Sequence, residues 1–88
     1  MMMTKDVVEK LMALKAMFKG KFIKCNGRTA KVRDIVFNLD TEGVIVALEF
    51  PGKGKLEDAL EFPALLSGHL RTLENAAREM ERMMVRKI

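Results

Sequence analysis

The chain has 88 residues, 49% apolar and 32% charged, with a formal net charge of +4. A single Cys and a single His exclude an internal disulfide framework and any His-rich or paired-Cys metal centre, so neither metal nor cofactor is expected. No apolar run approaches the roughly 18 residues of a membrane span, and Met1 to Asp6 lack the apolar stretch of a signal peptide. The expectation is one cytoplasmic domain over residues 1–88, with no membrane contact.

Thr4 is a good helix N-cap, and Asp6 falls in the first turn, where the helix dipole favours an anion. Met3 and Val8 have the spacing of a hydrophobic staple. Val7, Leu11, Leu14 and Phe18 then recur at steps of 4, 3 and 4, with Val8 and Met12 beside them. This one-sided stripe, with Gly20 beyond it, predicts a helix over 5–19.

Asn26-Gly27 between two β-like runs is a strong hairpin signal. A two-residue turn sets the register: Cys25 opposite Arg28, Lys24 opposite Thr29, Ile23 opposite Ala30, Phe22 opposite Lys31. Ile23, Cys25, Ala30 and Val32 then share the core face. Phe22, Lys24, Thr29, Lys31 and Arg33 share the other. The apolar phase changes before Ile35, Phe37 and Leu39, which predicts one extra residue, a bulge, near Arg33-Asp34. Asp40-Thr41-Glu42-Gly43 reads as a turn with positive φ at Gly43. Val44 to Phe50 reads as a central strand covered on both faces. After a looser turn at Pro51 to Lys55, Leu56 to Phe62 reads as a short acidic edge segment, bringing the sheet to residues 21–62.

Beyond Pro63 and Ser67-Gly68, a long helix is expected over 67–87. Leu66, Leu70, Leu73, Ala77, Met80 and Met84 step by 4, 3, 4, 3 and 4, a heptad seam. Ala76, Met83 and Ile88 widen it. The fold class is therefore α+β: an antiparallel sheet or small barrel of three to four strands, flanked by an N-terminal helix and a long C-terminal helix.

The run from Phe22 to Phe62 resembles an SH3-like small barrel of the Tudor or KOW kind. The bent second strand, the Gly-marked turn into an apolar strand and the closing Leu60-Glu61-Phe62-Pro63-Ala64-Leu65-Leu66 carry the likeness. The chain departs from the Tudor type in having no Trp or Tyr for an aromatic cage. The resemblance implies a binding module and no reaction.

The residues themselves also argue against an enzyme. His69 sits at the start of a helix and Cys25 on a core-facing strand, where a thiol behaves as a small hydrophobe. The acidic residues Asp40, Glu42, Glu49, Glu57, Asp58 and Glu61 lack the spacing of a calcium loop. Gly52-Lys53-Gly54-Lys55 lacks the spacing and closing residues of a phosphate loop, although a basic loop can touch a phosphate.

Two surfaces remain. Net charge is +6 over residues 1–39, −4 over 40–62 and +2 over 63–88. The basic bias concentrates on the hairpin face, where Lys24, Lys31 and Arg33 would follow a phosphate backbone and Phe22 would stack on a base, with Lys53 and Lys55 as auxiliaries. The ordinary alternative is a solvated sheet face with Phe22 packed under a helix. The second surface is the Met-rich helix, whose seam looks longer than a small sheet can cover. Leu73, Ala77, Met80, Met83, Met84 and Ile88 would then form an interface with a second copy or a partner helix. The competing account pairs the seam with the N-terminal stripe inside one chain. The resulting expectation is a non-enzymatic, homodimeric module that binds nucleic acid or a nucleotide through the hairpin face. The alternative is a protein-interaction adaptor or inhibitor, of the sort phages and other mobile elements encode, acting through the Met-rich helix.

Overall fold

The N-terminal stripe does form a helix, α1 (Lys5–Phe18), in a computed structural model that describes residues 4–51 and 56–85. Thr4 caps it: its Oγ1 accepts from the Val7 N–H at 3.3 Å. Met3, the other half of the expected staple, lies outside the described residues. Four strands follow, β1 (Phe22–Cys25), β2 (Arg28–Phe37), β3 (Val44–Phe50) and β4 (Leu56–Phe62), then a second helix, α2 (His69–Met83). The strands form an antiparallel meander in the order β1-β2-β3-β4. The fold class is thus α+β. The sheet is open, with β1 and β4 at its two sides, rather than closed into a barrel.

The hairpin has the register that a two-residue turn dictates, from Phe22 opposite Lys31 to Cys25 opposite Arg28. Asn26 and Gly27 have φ of 51° and 78°, the paired positive values of a type I′ turn. The register between β2 and β3 shifts between Val32 and Asp34, which is the bulge that the change of apolar phase requires. Because of it, Val32 and Ile35 both reach the core.

Both helices lie on one face of the sheet. Val7, Leu14 and Phe18 of α1, Leu73, Ala76 and Met80 of α2, and the inward residues of the strands form a single buried cluster. The strand β3 is therefore not covered on both faces as expected. Val44, Val46, Leu48 and Phe50 are buried, whereas Ile45, Ala47 and Glu49 on the far face are half-buried.

The long helix is shorter than 67–87 at both ends. It begins after Gly68, which has φ of 112°. Thr72 fixes this start: its Oγ1 donates to the Gly68 carbonyl and accepts from the Leu65 N–H, both at 2.9 Å, which satisfies a fully buried hydroxyl. Leu66 consequently falls off the helix and is fully exposed. At the other end the chain leaves the helix to reach the edge of β1. Met84 bridges Ile23, and the Val85 N–H donates to the Phe22 carbonyl at 3.0 Å. The free side of β1 is thereby partly closed.

The second turn differs from its expected form. Glu42, not Gly43, carries positive φ, at 61°. Asn38 organises the loop by accepting from the Asp40 and Thr41 N–H groups through its Oδ1. Gly43 is needed for a different reason: a Cβ there would stand 2.7 Å from the Phe62 backbone carbonyl oxygen. Backbone on both sides has little room to yield. Gly43→Ala is expected to destabilise by about 1–3 kcal/mol, read as a lower urea midpoint. An unchanged midpoint would mean that β3 and β4 separate freely at this end.

Candidate nucleic-acid interface on the open sheet face

With both helices on one side, the other side of the sheet faces solvent. Phe22 is 46% exposed there, so the alternative in which it packs under a helix does not hold. Alternation along β1 explains why: its neighbour Ile23 is fully buried, which turns Phe22 and Lys24 outward. On β2, Lys31 lies opposite Phe22 and Thr29 opposite Lys24. Arg33, at the bulge, is also exposed. The four residues expected to share a face therefore do so. Lys53 and Lys55 lie outside the described residues.

The register also brings in Glu49, which sequence reading assigned to a scattered acidic group. It stands directly opposite Lys31 across β2 and β3, and its Oε2 is 4.0 Å from Arg33 Nε. A carboxylate thus sits among the cations and offsets part of their field. Arg28, although basic and on the same hairpin, belongs to the other face. Its guanidinium covers the Phe50 ring at 4.4 Å and closes the end of the core.

Two open hollows meet at Lys31 and Glu49. One, of about 280 Å³, is lined also by Lys19, Gly20, Val32 and Arg33. The other, of about 250 Å³, is lined also by Phe22 and Pro51. Each falls below the roughly 300–1,000 Å³ of a pocket that envelops a small molecule. Their size suits a phosphate group or a single base at a surface. Lys19 is an addition that its position on a helix hid. The chain after α1 pairs with β2, Gly20 N–H donating to the Val32 carbonyl and the Val32 N–H to the Lys21 carbonyl, both at 2.8 Å, and this carries Lys19 to the rim. Lys15 is held elsewhere, 3.6 Å from Asp34. The Asp34 carboxyl lies below the usual carboxylate range, chiefly because the Ile35 N–H donates to it; Lys15 and Lys19 act in the same direction and burial opposes them.

The Met-rich surface is altered more deeply. Leu73 and Met80 have no exposure at all, and Ala77, Met83 and Met84 are partly buried against the same core. Their cover is α1, whose stripe of Val7, Leu11, Leu14 and Phe18 packs against α2 within the chain. Leu73 and Met80 are thus corrected from interface to core: the seam does not overhang the sheet, because the helix ends at Met83 and the chain folds back onto β1. Ile88 lies outside the described residues.

The structure does not bring Cys25 and His69 together. Cys25 ends β1 opposite Arg28, the first residue of β2, while His69 is near the other end of β2, 3.6 Å from Glu42 and edge-on to Phe37 with ring centroids 5.3 Å apart. Roughly 30 Å of strand separates the two ends. Among the described residues no group of three or more His, Cys, Asp or Glu is placed to hold a metal, and no helix is long and apolar enough to cross a membrane. Compared with known proteins, the chain matches no family model, no curated protein and no solved structure.

Proposed function

We propose that this protein is a non-enzymatic binding module for single-stranded nucleic acid, or for a nucleotide presented in the same way. The observation that carries the reading is the exposure of Phe22 on an open sheet face beside Lys24, Lys31 and Arg33. An exposed aromatic offers a platform for an unstacked base, and cations at strand spacing follow a phosphate backbone. A base stacked on Phe22 would enter the hollow floored by Lys31 and Pro51. Its phosphate would turn toward Lys19, Lys31 and Arg33. Duplex ligands fit less well, because a base inside a duplex is stacked between its neighbours and offers no free face. The resemblance to SH3-like small barrels is compatible with a binding role and adds no ligand of its own. The adaptor alternative acting through α2 is weakened, since Leu73 and Met80 serve the core.

The chain has no Trp or Tyr, so one introduced indole reports without background. Phe22→Trp should give fluorescence that is strongly quenched by a single-stranded oligonucleotide at low salt. Binding with no change in that signal would remove Phe22 from the site.

A further inference from the structure

Among the cations of the hairpin face stands a carboxylate, Glu49, and its placement bears on which base the face would take. Phe22, Lys31 and Glu49 form one row across β1, β2 and β3, each directly opposite the next. In register the row continues to Glu57 of β4. Two strand spacings, roughly 10 Å, separate the backbones at Phe22 and Glu49. The hollow of about 250 Å³ opens along this row, lined by Phe22, Lys31, Glu49 and Pro51. It is therefore aromatic at one end and carboxylate at the other. A base lying on Phe22 and an extended Glu side chain together bridge that span. The Glu49 side chain is only 26% exposed and its Oε2 is 4.0 Å from Arg33 Nε, so the carboxylate is held in place. A carboxylate accepts at about four positions, and one cation at that distance does not saturate it. The other carboxylate near the bulge, Asp34, is engaged by the Ile35 N–H and by Lys15 and lines neither hollow.

Single-stranded bases are read by stacking and by hydrogen bonds to their Watson–Crick edges. An edge turned toward Glu49 must donate. Guanine carries two adjacent donors there, N1–H and the N2 amino group, set in parallel as a planar carboxylate accepts them. Adenine and cytosine each place one amino donor beside a bare ring nitrogen, whose lone pair repels the second carboxylate oxygen. Uracil and thymine flank their single N3–H with two carbonyls. We propose that Glu49 selects guanine: a guanine stacked on Phe22 donates from N1 and N2 to the two carboxylate oxygens, while Lys19, Lys31 and Arg33 stay with the phosphates. This inference rests on the single-strand reading of the hairpin face and names the base that the face prefers.

The probes are labelled short oligothymidylate strands carrying one central guanine, hypoxanthine, adenine or cytosine, together with the all-thymine strand. Fluorescence anisotropy at low salt reads their affinities for the full chain. The guanine strand should bind about 10-fold tighter than the adenine or cytosine strand, the lower part of what a bidentate base contact gives. Hypoxanthine keeps N1–H but lacks the amino group, so its strand should fall between. Glu49→Gln sets an amide N–H against the guanine donors and should remove most of the guanine advantage. The same variant should bind the all-thymine strand more tightly, because a negative charge leaves the cationic face. That gain separates a lost base contact from a damaged fold. Salt-sensitive binding of all strands with equal affinity overturns the guanine assignment and leaves the single-strand reading standing. A guanine preference that Glu49→Gln leaves unchanged overturns it as well. No binding of any strand at low salt overturns both.

Discussion

Met80→Glu should abolish folding of this protein at room temperature. Met80 has no solvent exposure and sits in the cluster that joins α2 to α1 and to the inward face of the sheet. Truncation there alone costs about 2–5 kcal/mol. Placing a carboxylate in that apolar site adds several kcal/mol more, whether it is buried charged or takes up a proton. A domain of this length has a stability of roughly 4–13 kcal/mol, so the sum consumes most or all of it. Circular dichroism and urea titration read the outcome. Leu66→Glu, at a fully exposed position, is the matched control and should stay within about 0.5 kcal/mol of the parent. A Met80→Glu protein that remained folded as a soluble monomer would return Met80 to an intermolecular interface and contradict the packing of α1 on α2.

The second large effect concerns binding. Changing Lys24, Lys31 and Arg33 together to Glu should weaken affinity for a single-stranded oligonucleotide by roughly 100-fold or more at low salt, because three phosphate contacts become repulsions. All three positions are exposed, so the fold should persist. Arg33→Glu does place a second carboxylate near Glu49, a surface cost of about 1 kcal/mol or less. The corresponding triple Gln variant avoids that and should also lose most of the affinity. Glu49→Gln should act in the opposite direction, since it removes the carboxylate set among the cations. If the triple variants bind as the parent does, the hairpin face is not the site.

The parts of this architecture that were readable in the sequence are those set by short-range geometry. Asn26-Gly27 admits one tight turn, that turn determines which residue opposes which, and the faces of Phe22, Lys24 and Lys31 follow. The bulge was readable because the apolar phase breaks between Val32 and Ile35. What could not be read depends on tertiary neighbours. Met84 and Val85 are compatible with a continuing helix, and only the pull of the β1 edge diverts them. The α2 seam carries no mark of whether its cover is α1 or another chain; the periodicities of Val7 to Phe18 and Leu73 to Met80 suit either. Gly43 looked like a turn residue, but its need arises from Phe62, nineteen positions away. Glu49 joins the candidate site only through the β2–β3 register, which itself depends on the bulge.

Salt dependence tests the central claim most directly. A fluorescently labelled single-stranded oligonucleotide should bind the wild-type protein at micromolar concentrations in low salt. The logarithm of the binding constant should then fall linearly with the logarithm of salt concentration. Phosphate contacts at Lys24, Lys31 and Arg33, with Lys19 at the rim as a fourth, correspond to a slope of about −2 to −3, at roughly −0.7 for each contact with a single strand. A slope near that value that flattens in the triple Gln variant is the predicted result. No binding in low salt, or binding whose slope is near zero, would contradict the assignment of this sheet face to nucleic acid.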